Sequence, residues 1–228
     1  MRSGAAAKRR WPCSPEELRT LENSHRGWES PLRVRSADAS FSMFKVLFFQ
    51  VYCSDCWEDG LALGTTRMPI FDDIIAKEAV WPVEAPWPLR RASLLLERFR
   101  ACFPTISYDI YWETRLMNAQ AYIGEKGRSV RLYGGLGRHR EVGVEGIAFA
   151  LAHETGRHLG GPPHHEFYTT ISSEERANEW AEETGLPVVF GDEVARRYVR
   201  RGLAQLAAVW KKYRERYETM REVEQARG

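Results

Sequence analysis

Apolar residues recur at helical spacing in three separate parts of the chain. From Leu89 to Cys102, leucines and a phenylalanine fall on one face and arginines on the other, which predicts an amphipathic helix. The stretch from Val144 to about His158 is small and apolar and predicts a central helix, which Gly160-Gly-Pro-Pro163 should end. The stretch from Asp192 to about Gln225 is highly charged around one apolar stripe and predicts a single long helix. The stripe consists of Val194, Tyr198, Leu203, Leu206, Val209, Tyr213 and Tyr217.

Strand-like patterns occur before and between these helices. Phe41 to Tyr52 is aromatic and β-branched and predicts a buried strand, and the alternation from Thr105 to Trp112 predicts another. Asn118 to Ile123 and Ser129 to Tyr133, joined by a turn at Gly124 to Gly127, predict a β-hairpin. The chain therefore combines helices with a small sheet.

The connections are marked by glycine, proline and serine. Gly134-Gly135 should break the second strand of the hairpin, and a loop is expected from Leu136 to Val142. A further helix is expected from Ser173 to about Thr184, with Ser172 or Ser173 as its cap. Gly185-Leu-Pro187 should then interrupt the chain before the long helix.

These elements predict an α+β fold. A small antiparallel or mixed sheet, with the hairpin at its edge, would pack on the central helix and be followed by the helix that contains Glu174. We expect residues 1–38 to be poorly ordered, residues 39–190 to form the domain and residues 191–228 to form the long C-terminal helix. That helix would pack against the domain or against a partner helix, so self-association through it stays open.

Composition argues against two kinds of partner. Lysine and arginine number 33 against 31 for aspartate and glutamate, and a net charge of +2 leaves no excess for tight nucleic-acid binding. No apolar run reaches the roughly 18 to 20 residues of a membrane span.

Residues 1–35 lack the apolar core of an export signal, so a cytoplasmic protein is expected, with a short signal beginning at Met43 as the alternative. Cys53 and Cys56 have no second pair with which to hold a structural zinc, which favours ordinary packing over metal or redox chemistry.

The central helix also carries the groups of a metal site. His153, Glu154 and His158 lie near its end, and Glu174 and Asn178 lie one turn apart on the next helix. Two imidazoles and a carboxylate from neighbouring helices, with a second carboxylate beside them, are the parts of a zinc hydrolase centre. The spacing is unusual, because on a regular helix the side chains of residues i and i+5 diverge by about 140°.

Convergence of the two histidines therefore requires a widened, π-type turn. Such turns are found mostly at functional sites, and Gly156 would lower the cost of the distortion. With that turn, His153, His158 and Glu174 would bind one Zn²⁺ ion and leave a fourth position for water. Glu154 would be the general base that takes the proton of this water as it attacks a carbonyl, and Asn178 would hydrogen-bond one of the histidines. Candidates for stabilising an oxyanion are Tyr168, His164, His165 and Arg157.

The same stretch resembles the gluzincin-type zinc metallopeptidases, especially bacterial proteins that have His-Glu-x-Gly-His-His-Leu-Gly-Gly followed by Glu-Gly-Gln-Ala-Asp-Tyr-Trp-Ala. Here the matching places read His153-Glu-Thr-Gly-Arg-His-Leu-Gly-Gly161 and Glu174-Glu-Arg-Ala-Asn-Glu-Trp-Ala181. The resemblance covers about residues 93–185 and implies a zincin-like fold. It also implies that Asn118-Ala119 belongs to an edge strand that holds the backbone of a peptide or protein substrate by strand addition.

The chain departs from that pattern at Arg157, which stands where the second histidine ligand is usual. The gluzincin group of dipeptidyl peptidase III has His-Glu-x-x-x-His with a later Glu-Glu-x-x-Ala, and that precedent would make His158 a ligand. Zinc-dependent peptide-bond hydrolysis is therefore the first expectation. A degenerate, non-catalytic module that binds a peptide or protein without metal is the second, and an assembly protein that acts through its C-terminal helix is the third.

Overall fold

The computed structural model describes residues 77–125, 127–165 and 170–225. The expected strand at Phe41 to Tyr52, the Cys53 and Cys56 pair, the segment 1–38 and Tyr168 lie outside these residues. After a short 3-10 helix at Lys77–Ala79, the first described α-helix, α1, spans Pro86–Cys102 and has proline in its first turn, where the missing N–H costs nothing. Its apolar face is buried in the core, as its periodicity predicts.

The three described strands form one mixed sheet. They are β1 (Ser107–Tyr111), β2 (Ala119–Gly124) and β3 (Gly127–Tyr133). β3 lies in the middle, parallel to β1 and antiparallel to β2. The expected hairpin is confirmed, and β2 is an edge strand of the described sheet.

The loop expected from Leu136 to Val142 is wrong in its first part, because a single helical turn, α2, spans Gly134–Gly137. The two glycines at its start allow a close approach of two backbone segments. A Cβ atom on Gly134 would lie 1.9 Å from the carbonyl oxygen of Trp112, and one on Gly135 would lie 1.9 Å from that of Arg115. The Gly-Gly pair is therefore required by packing and not only by the end of the strand.

The central helix, α3, spans Val144–Leu159 and is buried along nearly its whole length. It packs against the hairpin on one side and against the following helices on the other. Because the sheet, α1 and the C-terminal helices all contact it, α3 is the element around which the described core is built.

The next helix, α4, spans Glu174–Trp180, and the Ser173 side chain caps it by accepting a hydrogen bond from the Arg176 N–H. The interruption expected at Gly185-Leu-Pro187 is wrong. The chain instead continues through a π turn, Ala181–Gly185, into a short helix, α5, at Leu186–Phe190. Pro187 is tolerated because it lies in the first turn of α5, where no backbone N–H is needed.

The long helix, α6, spans Asp192–Gln225, as its apolar stripe predicts. Tyr198, Leu206 and Val209 are buried against the core, and α6 lies along α3. Within residues 77–225, no described helix is both long and apolar enough to cross a membrane. The described helices together with the mixed sheet confirm the α+β class.

Candidate functional site

The side chains of α3 divide between two faces. α3 is α-helical from end to end, so residues four apart lie about 40° from each other around its axis. His153 and Arg157 share the face that meets α4, whereas Glu154 and His158 share the face that meets the β2–β3 hairpin. The motif residues from His153 to His158 therefore lie in two different environments, one beside α4 and one beside the hairpin.

The face towards α4 forms a buried charged cluster, which consists of His153, Arg157, Glu174 and Asn178. Arg157 Nη1 lies 2.9 Å from Glu174 Oε1, and His153 Nε2 lies 3.1 Å from Glu174 Oε2. His153 Nδ1 lies 2.8 Å from Asn178 Oδ1. The side chains of His153 and Arg157 are each 1% exposed and that of Glu174 is 8% exposed. Both oxygens of Glu174 are thus engaged by cationic or polar groups of α3.

Proton positions follow from these contacts. The amide oxygen of Asn178 can only accept, so the Nδ1–H of His153 donates to it. Nε2 and Glu174 Oε2 are then both acceptors unless one proton lies between them. A proton shared between His153 and Glu174 would satisfy both of these atoms, while the guanidinium of Arg157 lies 2.9 Å from the other carboxylate oxygen.

Arg157 also fixes the loop that leads into α4. Its Nη1 donates to the Ser172 carbonyl oxygen at 2.6 Å, and the Ser172 N–H donates to the Arg157 carbonyl oxygen at 2.7 Å. Ser172 immediately precedes the cap residue of α4. The same arginine therefore balances the charge of Glu174 and positions the helix that carries it.

On the hairpin face, Glu154 contacts the edge strand directly. Its Oε2 accepts a 2.8 Å hydrogen bond from the Ala121 N–H, and its Oε1 lies 4.0 Å from His153 Nε2. Burial raises the pKa of Glu154 to about 7; Glu174 adds to the rise, while His153 and Arg157 oppose it. With a side chain that is 12% exposed, Glu154 lies between the buried cluster and the sheet edge.

The widened turn near Gly156, on which the histidine pair depends, is not present. His158 instead donates from Nε2 to the Ser129 carbonyl oxygen of β3 at 2.8 Å, and it is buried on the opposite side from Glu174. Gly156 has a different role, since a Cβ atom there would lie 2.8 Å from the Ala177 carbonyl oxygen. The glycine allows α4 to approach a regular α3, and the prediction that His158 joins His153 is wrong for this conformation.

The residues present do not fit a zinc centre with two histidines and one glutamate. His153 and Glu174 adjoin each other, but Arg157 occupies the place of the next ligand on the same helical face. In the described residues, no group of three or more His, Cys, Asp or Glu is arranged to hold a metal ion. A guanidinium 2.9 Å from the carboxylate would repel a dication bound to that same carboxylate.

The edge strand predicted at Asn118-Ala119 is present as β2, but the carbonyl group of Asn118 points into the sheet. The Asn118 carbonyl oxygen accepts from the Tyr133 N–H at 3.0 Å and is thus used within the sheet. The Ala121 N–H points away from β3, because it donates to Glu154. Along a strand, the N–H and C=O groups of successive residues point to alternate sides in the plane of the sheet. Those of Ala119 and Ile123 therefore point away from β3, as those of Ala121 do. Ala119 keeps its expected place on the edge, whereas the carbonyl of Asn118 does not face outward.

The remaining oxyanion candidates lie elsewhere. His164 pairs with Ser172 in an isolated bridge, and the His165 N–H donates to the Ile171 carbonyl oxygen, which places both in the turn after α3. Arg157 is buried against Glu174 and faces no open position. None of these three has a described contact that would bring it to the Ala121 edge.

Sequence reasoning missed three groups that complete the site. They are the Ala121 N–H, the Ser129 carbonyl and the Ser172 carbonyl. All are main-chain atoms, so residue type gives no signal for them. Only Ala121 had an indirect signal, because it is two residues from Ala119 and therefore on the same side of the strand.

The cluster is closed, and the described cavity lies apart from it. A cavity of about 410 Å³ opens between the π turn and the start of α6, lined by Glu182, Glu183, Pro187, Asp192, Ala195, Arg196, Val199 and Arg200. None of the motif residues contributes to it. Comparison with known proteins adds no assignment, since no family model, curated protein or solved structure matches the chain.

Proposed function

We propose that this chain is a zincin-like peptide-binding module that holds an extended peptide along β2 and works without a catalytic zinc ion. The observation that carries the proposal is the ion pair between Arg157 and Glu174, with Nη1 and Oε1 2.9 Å apart. It places a permanent cation of the protein where the resemblance expects a metal ligand.

The charge of the cluster supports a state without metal. A buried carboxylate is stable only with a compensating positive group, and Arg157 supplies one as an ion pair with a separation of 2.9 Å. Guanidinium is charged at any pH at which the chain folds, so the compensation does not depend on metal supply. The closed packing around His153 also lacks the open position that a catalytic zinc keeps for water.

The binding role rests on the edge of the sheet. β2 is paired with β3 on one side only among the described strands, and its outward N–H and C=O groups belong to Ala119, Ala121 and Ile123. Such a row is the template for strand addition, in which main-chain hydrogen bonds hold an extended peptide. Ala119 and Ala121 are buried, at 5% and 3% exposure, whereas Ile123 towards the end of the same edge is 59% exposed.

Strand addition can be tested by removing one outward N–H. The Ile123 N–H points away from β3, so Ile123→Pro deletes an outward donor without removing a β2–β3 hydrogen bond. It should weaken binding of a fluorescein-labelled pool of N-acetylated, C-amidated octapeptides about tenfold or more. Ile123 is 59% exposed, which makes a folding defect unexpected. The matched control is Ile123→Thr, which keeps the N–H and should bind more tightly than the proline variant in fluorescence anisotropy. Equal affinity of the two variants would contradict strand addition.

A second candidate function is zinc-dependent peptide hydrolysis with Glu154 as general base. One observation favours it, namely that His153 Nε2 and Glu174 Oε2 face each other across 3.1 Å and need a small cation or proton between them. Elemental analysis of the purified protein discriminates the two functions. One equivalent of zinc, with peptide cleavage that is lost in Glu154→Gln, would replace the first proposal by this one.

A further inference from the structure

The edge of β2 is already occupied at its centre. The Ala121 N–H, which an incoming peptide would need as a donor, gives its hydrogen bond to Glu154 Oε2 at 2.8 Å. A carboxylate oxygen at this distance has the same role as the carbonyl oxygen of a peptide residue. The chain therefore supplies its own acceptor to the row of groups that strand addition uses.

From this geometry we infer that Glu154 is an autoinhibitory competitor, which an extended peptide must displace from Ala121 before it can pair with β2. The inference rests on the proposed function, since it concerns the regulation of the same edge. It assigns Glu154 a role that does not depend on a metal ion or on cleavage.

The Glu154 side chain is held in place by the helix α3 that carries it and by its hydrogen bond to Ala121. α3 is a regular α-helix at this position, so the carboxylate reaches Ala121 without any distortion of the helix. An ionised carboxylate oxygen is a stronger hydrogen-bond acceptor than the neutral peptide carbonyl that would replace it. The exchange therefore opposes binding, and only the further hydrogen bonds at Ala119 and Ile123 make the whole pairing favourable.

Displacement requires a rotation of the Glu154 side chain. Glu154 Oε1 lies 4.0 Å from His153 Nε2, so the released carboxylate can turn towards the imidazole and away from the strand. The 12% exposure of the Glu154 side chain places it at the boundary between the cluster and the edge.

Two variants separate the charge of Glu154 from its shape. Glu154→Ala removes the competing acceptor and should tighten binding of the same octapeptide pool about tenfold. Glu154→Gln keeps an oxygen at the same distance but loses the charge, so it should tighten binding by a smaller factor, about threefold. Hydrogen exchange of the Ala121 amide, measured without peptide, should be faster than in wild type in Glu154→Ala and less so in Glu154→Gln.

The outcomes distinguish this inference from the proposed function. If wild type binds and Glu154→Ala binds no more tightly, the autoinhibitory role is wrong while peptide binding stands. If Glu154→Ala binds and the added change Ile123→Pro abolishes that binding, both are supported. If neither wild type nor either Glu154 variant binds the pool, both are wrong. Unchanged exchange of the Ala121 amide in Glu154→Ala would overturn the contact itself.

Discussion

Replacing Arg157 by methionine removes the guanidinium and leaves an unbranched side chain in its place. The change deletes the 2.9 Å contact with Glu174 Oε1 and the 2.6 Å bond to the Ser172 carbonyl oxygen. Breaking a buried ion pair by removing one partner costs about 3 to 5 kcal/mol, because the other charge stays buried without compensation. His153 still contacts Glu174, so we expect a loss near the lower end, about 3 kcal/mol of the free energy of unfolding.

Denaturant unfolding of the full chain, followed by far-UV circular dichroism, measures this loss. The control is the double variant Arg157→Met with Glu174→Met, in which both charges are gone and the apolar pair packs in their volume. Replacing both partners of a buried ion pair by apolar residues is often close to neutral, so the double variant should recover most of the lost stability. A loss below about 1 kcal/mol in the single variant, or no recovery in the double variant, would refute the statement that Arg157 balances a buried carboxylate.

Three further predictions test the packing and charges of the core. Arg157→His should gain a zinc-dependent rise in unfolding free energy, about 3 kcal/mol at zinc a hundredfold above the dissociation constant, because residues four apart converge on one side of a regular helix; thermal unfolding with and without chelator detects it. Gly156→Ala should lose about 1 to 3 kcal/mol in denaturant unfolding despite the higher helix propensity of alanine, since the added Cβ would lie 2.8 Å from the Ala177 carbonyl oxygen. Burial lowers the pKa of His139 to about 4, so the unfolded chain binds its proton first and stability falls as pH drops from about 6.5 to 4. The stability advantage of wild type over His139→Leu should therefore shrink by about 3 kcal/mol between pH 7 and 4, a comparison in which the opposite pH dependence of Glu154 cancels.

The elements that sequence predicts well are those in which one periodic pattern settles the structure. The boundaries of α3 and α6 follow from their apolar stripes and from the glycines and prolines that flank them, and the hairpin follows from alternation around a turn. Ser173 was one of two possible caps, and its side chain accepts the bond from Arg176. Local chemistry was sufficient in each case.

The predictions that are wrong share a different cause. Each of them explains a glycine by the local conformation of the chain. The sequence predicts a distorted turn at Gly156, the end of a strand at Gly134 and a chain break at Gly185. In the structure, added Cβ atoms at these positions would approach the Ala177 carbonyl, the Trp112 carbonyl and the Trp180 ring to within 3 Å. Each glycine therefore reports a tertiary contact with another segment, and sequence alone does not tell which segment that is.

The regular geometry of α3 also explains why loss of a metal ligand would leave the rest of the site in order. His153 and Arg157 face α4, whereas Glu154 faces β2, so the charge cluster and the sheet edge lie on different sides of one rigid helix. Arg157 contacts Glu174 directly, whereas the hydrogen bond of Glu154 to Ala121 involves no atom of Arg157. The proposed peptide binding and the metal chemistry that the resemblance implies would thus depend on different faces of this helix. The same glutamate that would activate water beside a metal is, without one, a hydrogen-bond acceptor aimed at the strand where a peptide would lie.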